Sequence, residues 1–169
     1  MIRPVIINIL RLLLLVFLQL FVLNHIQFSG YVNPYLYLLF ILWLPFETPG
    51  WLTIILAFLL GMVIDVASHT IGYHTIATTF VGYARFHFLQ LIAPRDGYEP
   101  GMSPTASSLG LSWFIKYISI LVIIHHFILF GVEAFGMGNY LAAAFRAIAS
   151  SVFTILLILV CQFLTIRSR

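Results

Sequence analysis

The chain alternates between long apolar runs and short polar interruptions. The runs are too long and too evenly apolar for half-buried strands or for the striped helices of a soluble fold. The first extends from Pro4 to Leu23. A second lies between Tyr31 and Phe46, a third from Trp51 to His69, and a fourth from Ile71 to Arg85, with Phe86 to Ile92 as its continuation or as an interfacial piece. A fifth extends from Trp113 to Val132 and a sixth from Leu141 to Ile166. A bilayer core takes about 20 apolar residues per helical crossing, so the pattern predicts about six transmembrane helices. The fold class is all-α, a polytopic membrane protein, with residues 1–169 as a single transmembrane domain.

The second run departs from the others. Pro34 and Pro45 bound it, and at about 1.5 Å per residue it reaches roughly 24 Å, short of the ~30 Å hydrocarbon core. It is expected to be a thin span or a re-entrant piece. Phe46–Gly50 reads as a tight turn, Glu133–Tyr140 as a glycine-rich turn, and Ala93–Ser112 as the one substantial loop.

Composition makes lipid the necessary solvent. The chain is 62% hydrophobic and 8% charged, against about 45–50% and 25% in soluble domains. Arg3 ahead of an apolar run resembles a secretory leader, but the run is long and no small-residue cleavage site follows it, so it is read as a retained first helix. The formal charge of +3 comes from basic residues scattered singly, which argues against nucleic acid as a partner. Cys161 is the only cysteine, so neither an internal disulfide nor a thiolate metal site is available.

The basic residues report topology instead. With an even number of crossings, Arg3, Arg11, Arg85, Arg95, Lys116, Arg167 and Arg169 fall on the side of both termini, and Arg146 falls opposite. Lys and Arg are retained in the cytoplasm, so the termini and the Ala93–Ser112 loop are expected there.

Polar residues inside the apolar runs are the functional candidates. Asn8, Arg11 and Gln19 form one stripe on the first helix, within about 80° of arc. Such a stripe faces protein rather than lipid, either inside this bundle or against another subunit. Asp65 is the single acidic residue within an apolar run. It is open to three uses: a structural hydrogen-bond or ion-pair partner (of Ser68, His69, the backbone of the polar turn, or Arg146), a partner-binding group, or a proton relay. In the structural case, Asp65→Asn is expected to be mild and Asp65→Leu to lower folded yield. His69, His74, His125 and His126 lack an accompanying metal-binding pattern and are read as helix contacts. Ala143, Ala147 and Ser151 make a small-residue row suited to close helix packing. No nucleotide-binding or hydrolase motif is present, so neither an enzyme nor a cofactor is indicated.

The stretch Gly61–His74 resembles the signature of the MreD family of rod shape-determining proteins: a glycine, an aspartate four residues on, a short polar turn, then a glycine and a small or polar residue opening the next helix. Gly61, Asp65, Gly72 and His74 occupy those places. Tyr83 and the Ala93–Glu99 loop are similar to one branch of that family, as are the length and the short second run. The resemblance implies a non-enzymatic scaffold subunit of the elongasome, the machinery of cell shape and peptidoglycan synthesis, in the bacterial inner membrane. Its partner would be an MreC-like single-span protein, with the MreB cytoskeleton and the RodA/transpeptidase synthase as indirect partners. It also implies a fold similar to the S-components of energy-coupling-factor transporters, which supplies the alternative of a small-molecule-binding subunit. The outer loops His25–Asn33, Ser68–His74 and Glu133–Tyr140 are short, with no dense polar cluster, which favours the scaffold.

Reporter fusions test the topology. Fusions after Arg169 and within Ser103–Ser108 are expected to report cytoplasm, and a fusion at Gly138 the opposite side. A cytoplasmic signal at Gly138 refutes the six-span arrangement.

Overall fold

A computed structural model describes residues 2–26, 32–99, 101–135 and 138–167. Regular structure among them is entirely helical: α1 (Ile2–Phe21), α2 (Leu39–Leu42), α3 (Gly50–Ser68), α4 (Tyr73–Leu91), α5 (Ala106–Leu109), α6 (Leu111–Ala134) and α7 (Tyr140–Arg167), with 3-10 turns at Leu23–His25 and Leu36–Leu38. Four helices, α1, α3, α6 and α7, are long and apolar enough to cross a membrane. Their outer faces carry exposed Leu10, Leu14, Val63, Val152 and Phe163, the surface of a membrane protein. The fourth apolar run forms one unbroken helix, so Phe86–Leu91 continues α4 rather than lying apart. α4 has the length of α3, but its threonines, histidines and Arg85 make it less apolar.

The second run is not a continuous helix. It enters extended, turns through 3-10 at Leu36–Leu38 and completes one α-turn, α2. Pro34 has no N–H and restricts Asn33 before it, which delays the helix. Every residue from Pro34 to Leu42 is buried. The segment is therefore neither a lipid-facing thin span nor a surface loop; it is the axis around which the long helices pack. Tyr31, its expected start, lies outside the described residues.

An irregular segment surrounded by apolar groups must still satisfy its backbone. Side chains from four helices do so. Gln19 of α1 accepts from the Leu36 N–H (2.8 Å) and donates to the Pro34 carbonyl (3.0 Å). Ser150 and Thr154 of α7 accept from the Asn33 and Tyr35 N–H groups, each at 3.1 Å. At the far end, Tyr117 of α6 donates to the Leu42 carbonyl at 2.9 Å. Arg85 of α4 donates to the Leu44 carbonyl and, through Nε, to the Tyr117 hydroxyl. A guanidinium at the carbonyl end of a short helix meets the negative end of its dipole.

These contacts also orient the bundle. α1 runs antiparallel to the segment, with Gln19 beside Leu36 and Arg11 over the Trp43 ring. α7 runs parallel to it. α3 and α4 are antiparallel and very close. A β-carbon on Gly61 would lie 2.6 Å from the Thr75 Cα, and one on Gly82 would lie 2.8 Å from the Ala57 Cβ. Ala143 and Ala147 line a crevice with Phe127 and Gly131 of α6, so the small-residue row is used for internal packing. The start of α1, the end of α7 and the loop before α6 share one end of the bundle, the terminal end; Ser68, Tyr73, Glu133 and Arg146 share the opposite end. The loop at the terminal end is pinned by aromatic contacts. Tyr98 stacks on Phe46 (3.9 Å, 6° between planes) and donates to the Leu89 carbonyl at 2.7 Å. Burial pushes the Tyr98 phenol up to about 12, so it holds its donor proton at physiological pH.

Gln19→Leu is expected to destabilise the protein by about 2–4 kcal/mol, because it strands two or three buried backbone groups. Asn8→Ala, at a half-buried site on the same stripe, is expected to change stability by under about 0.5 kcal/mol. Unfolding in mixed micelles with increasing denaturing detergent measures both; equal effects would remove Gln19 from its role as a backbone partner.

Candidate functional site

The Gly61–His74 stretch builds the turn joining α3 to α4. α3 ends at Ser68, with His69 left-handed (φ 55°) and its N–H bonded back to the Asp65 carbonyl. Gly72 is also left-handed (φ 84°) and opens α4, a conformation that glycine adopts without strain. The Asp65 carboxylate then caps α4 from outside it. Oδ1 accepts from the Thr70 hydroxyl (2.5 Å) and the His74 N–H (3.1 Å); Oδ2 accepts from the Thr75 N–H (2.7 Å) and hydroxyl (2.6 Å). Orphaned N–H groups and the positive dipole end of a helix favour such an anion. Gly61, one turn before Asp65, permits the approach that makes this geometry possible.

The partners of the Asp65 carboxylate are therefore Thr70, Thr75 and His74, not the side chains of Ser68 or His69. Arg146 does not pair with it either. Its Nη1 bonds Glu133 Oε1 at 3.0 Å and its guanidinium lies 4.6 Å from the Phe130 ring centroid. Glu133, at the end of α6, faces the early turns of antiparallel α7, so it meets Arg146 first.

His74 carries the hairpin inward. Its Nδ1 lies 3.0 Å from the Tyr37 hydroxyl, which lies 2.8 Å from His125 Nε2 and 3.3 Å from Thr78 Oγ1. A phenol has one hydrogen to give, so it can donate to only one of these rings. His126 is fixed more fully. Its Nδ1 lies 2.8 Å from the Val122 carbonyl, an acceptor, so Nδ1 carries the hydrogen and Nε2 accepts from the Thr154 hydroxyl at 3.1 Å. Thr154 thus accepts from Tyr35 and donates to His126, linking the axial segment to the histidines. Asp65 and the two His125–His126 rings do not form a metal-binding cluster, and none occurs among the described residues.

Above this layer, at the opposite end from the termini, is an open cavity of about 470 Å³. Asn24, Asn33, Ser68, His74, Glu133 and Arg146 contribute to its wall. This corrects the reading of the outer loops as lacking a polar cluster. The cluster comes from helix ends and the start of the axial segment, which are distant in sequence. Asn24 ties it together, donating to Ser68 Oγ at 3.2 Å and accepting from Gln19 Nε2 at 2.9 Å.

The sequence candidates consequently divide. Gly61, Asp65, Gly72 and His74 form one hairpin; Gln19 reaches its neighbourhood through Asn24, and Arg146 faces it across the cavity. Asn8 and Arg11 lie toward the terminal end, 3.4 Å apart. Tyr37, Arg85, Tyr117 and Thr154 were not singled out from sequence. Arg85 had one signal, a cation inside an apolar run, which the topology count absorbed.

These features define an all-helical membrane protein with a polar-lined cavity. No family model, curated protein or solved structure matches the chain.

Because both Asp65 oxygens accept two hydrogen bonds, Asp65→Asn is no longer expected to be mild. Its amide nitrogen must face N–H donors, which should cost about 1–3 kcal/mol, and Asp65→Leu should cost more. Membrane levels and unfolding midpoints of the two variants check the order. Wild-type stability in Asp65→Leu would show that the carboxylate does not hold the hairpin.

Proposed function

We propose that this chain is a non-enzymatic scaffold subunit of the cell-wall elongation complex, of the MreD type, in the bacterial inner membrane with both termini cytoplasmic. In this reading the axial segment and α4 complete six crossings, in an arrangement similar to an S-component. The observation that carries the proposal is the use made of the Gly61–His74 signature. Its glycines set helix distance and turn conformation, and its aspartate is occupied by Thr70 of the turn and by the first residues of α4. A motif spent on building a rigid hairpin suits a protein that offers a shaped surface rather than a reaction. The partner is an MreC-like single-span protein, through which MreB and the RodA/transpeptidase synthase are engaged.

The open cavity favours a second reading, a small-molecule-binding membrane subunit. Its volume suits a compact polar ligand, and the Arg146–Glu133 pair offers charge of both signs.

Purification in mild detergent from the native host distinguishes the two. A scaffold brings down a single-span protein with an extracytoplasmic domain, and its depletion rounds rod-shaped cells. Co-purification of a small polar molecule that raises the unfolding temperature, with cell shape unchanged on depletion, would replace the scaffold reading by the binding subunit.

A further inference from the structure

A second cavity, of about 300 Å³, opens at the terminal end between α1, α7 and the loop before α6. Its wall includes Arg11, Trp43, Ser103, Ser107, Ser108 and Gln162. Gln162 is 1% exposed and its carboxamide oxygen has no donor. The buried indole N–H of Trp43 has no acceptor. Buried polar groups of this kind are ordinarily satisfied, and here one donor and one acceptor belong to two residues that line the same space.

The rest of the wall narrows the chemistry. Among the described residues it contains no carboxylate, one guanidinium, 5.6 Å from the Trp43 ring centroid, and several hydroxyls. A donor-rich wall of that composition suits an anion with several acceptor oxygens. The Gln162 oxygen adds a different demand, a donor on the ligand. A phosphodiester bearing a hydroxyl or ammonium meets both. The surroundings point to a lipid as its source. α1 and α7 flank the cavity, both are apolar enough to cross a membrane, and Leu10, Leu14, Val160, Phe163 and Leu164 on them are exposed. Acyl chains leaving the cavity would follow surface that already faces hydrocarbon.

We propose that this cavity binds a glycerophospholipid through a head group carrying both a phosphodiester and a hydrogen-bond donor. The full chain, delipidated in detergent, is titrated with phosphatidylglycerol, phosphatidylethanolamine, phosphatidylcholine or glycerol 3-phosphate, with native mass spectrometry and thermal unfolding as readouts. The first two lipids should remain bound and raise the unfolding temperature. Phosphatidylcholine, which has no N–H or O–H donor, should bind about tenfold more weakly, the loss of one good hydrogen bond. Glycerol 3-phosphate alone should give no shift. Gln162→Leu and Trp43→Phe should each weaken phosphatidylglycerol about tenfold. Without lipid, Gln162→Leu should unfold no earlier than wild type, since it removes an acceptor that has no donor. Trp43→Phe keeps an aromatic ring beside Arg11 and tests the site independently. Equal binding of phosphatidylcholine, wild-type affinity in either variant, or a full shift from glycerol 3-phosphate, which would mark a soluble-anion site, each overturns the proposal.

Discussion

The structure depends on satisfying the backbone of a segment that is not a regular helix. In water, the extended stretch before Leu36 would be solvated at no cost. At membrane depth each unpaired N–H or C=O costs several kcal/mol, so the stretch persists only where side chains replace both water and the helical ladder. Gln19, Ser150 and Thr154 serve its first half, and Tyr117 and Arg85 its last carbonyls. Of the long helices, α1, α4, α6 and α7 are arranged to present these groups inward. This requirement explains why a chain so apolar still buries Gln19, Arg85, Ser150 and Thr154 almost completely.

The same logic extends to the α3–α4 hairpin. Asp65 substitutes for the carbonyls of the turn that would precede α4, and the two glycine contacts bring the helices close enough for it to reach. Polar chemistry in this chain is thus largely spent internally. What remains for outside molecules is confined to the two ends, where the packing of helices of unequal length leaves space.

Much of the architecture was legible in the chain. The limits of α3, α6 and α7 follow from apolar run length, and the inward stripe on α1 follows from the spacing of Arg11 and Gln19. Gly61 and Asp65 were recognisable because a glycine and a carboxylate inside hydrocarbon each require a local reason. The axial segment was harder. Its length and prolines marked it as unusual, but run length alone cannot separate a short lipid-facing span from a fully enclosed one, since both are uniformly apolar. The outer cavity was also illegible, because Asn24, Asn33, Ser68 and Arg146 are polar singletons until the fold gathers them. The capping role of Arg85 was missed for a related reason: a cation near a span end serves topology and carbonyl capping equally well in sequence.

The hydrogen bonds of the axial segment also set an order of biogenesis. Asn33 and Tyr35 leave the ribosome long before Ser150 and Thr154, their partners 117 and 119 positions later. Arg85 and Tyr117 likewise follow the carbonyls that they cap. When the segment first meets the translocon, only Gln19 among these partners has been made. It therefore cannot partition into lipid in its final form on its own merits. Its backbone is satisfied in full only once α7 has been made. The seventh helix is in this sense the closing piece of assembly, and a nascent chain lacking it would carry an unfinished backbone that membrane quality control can detect.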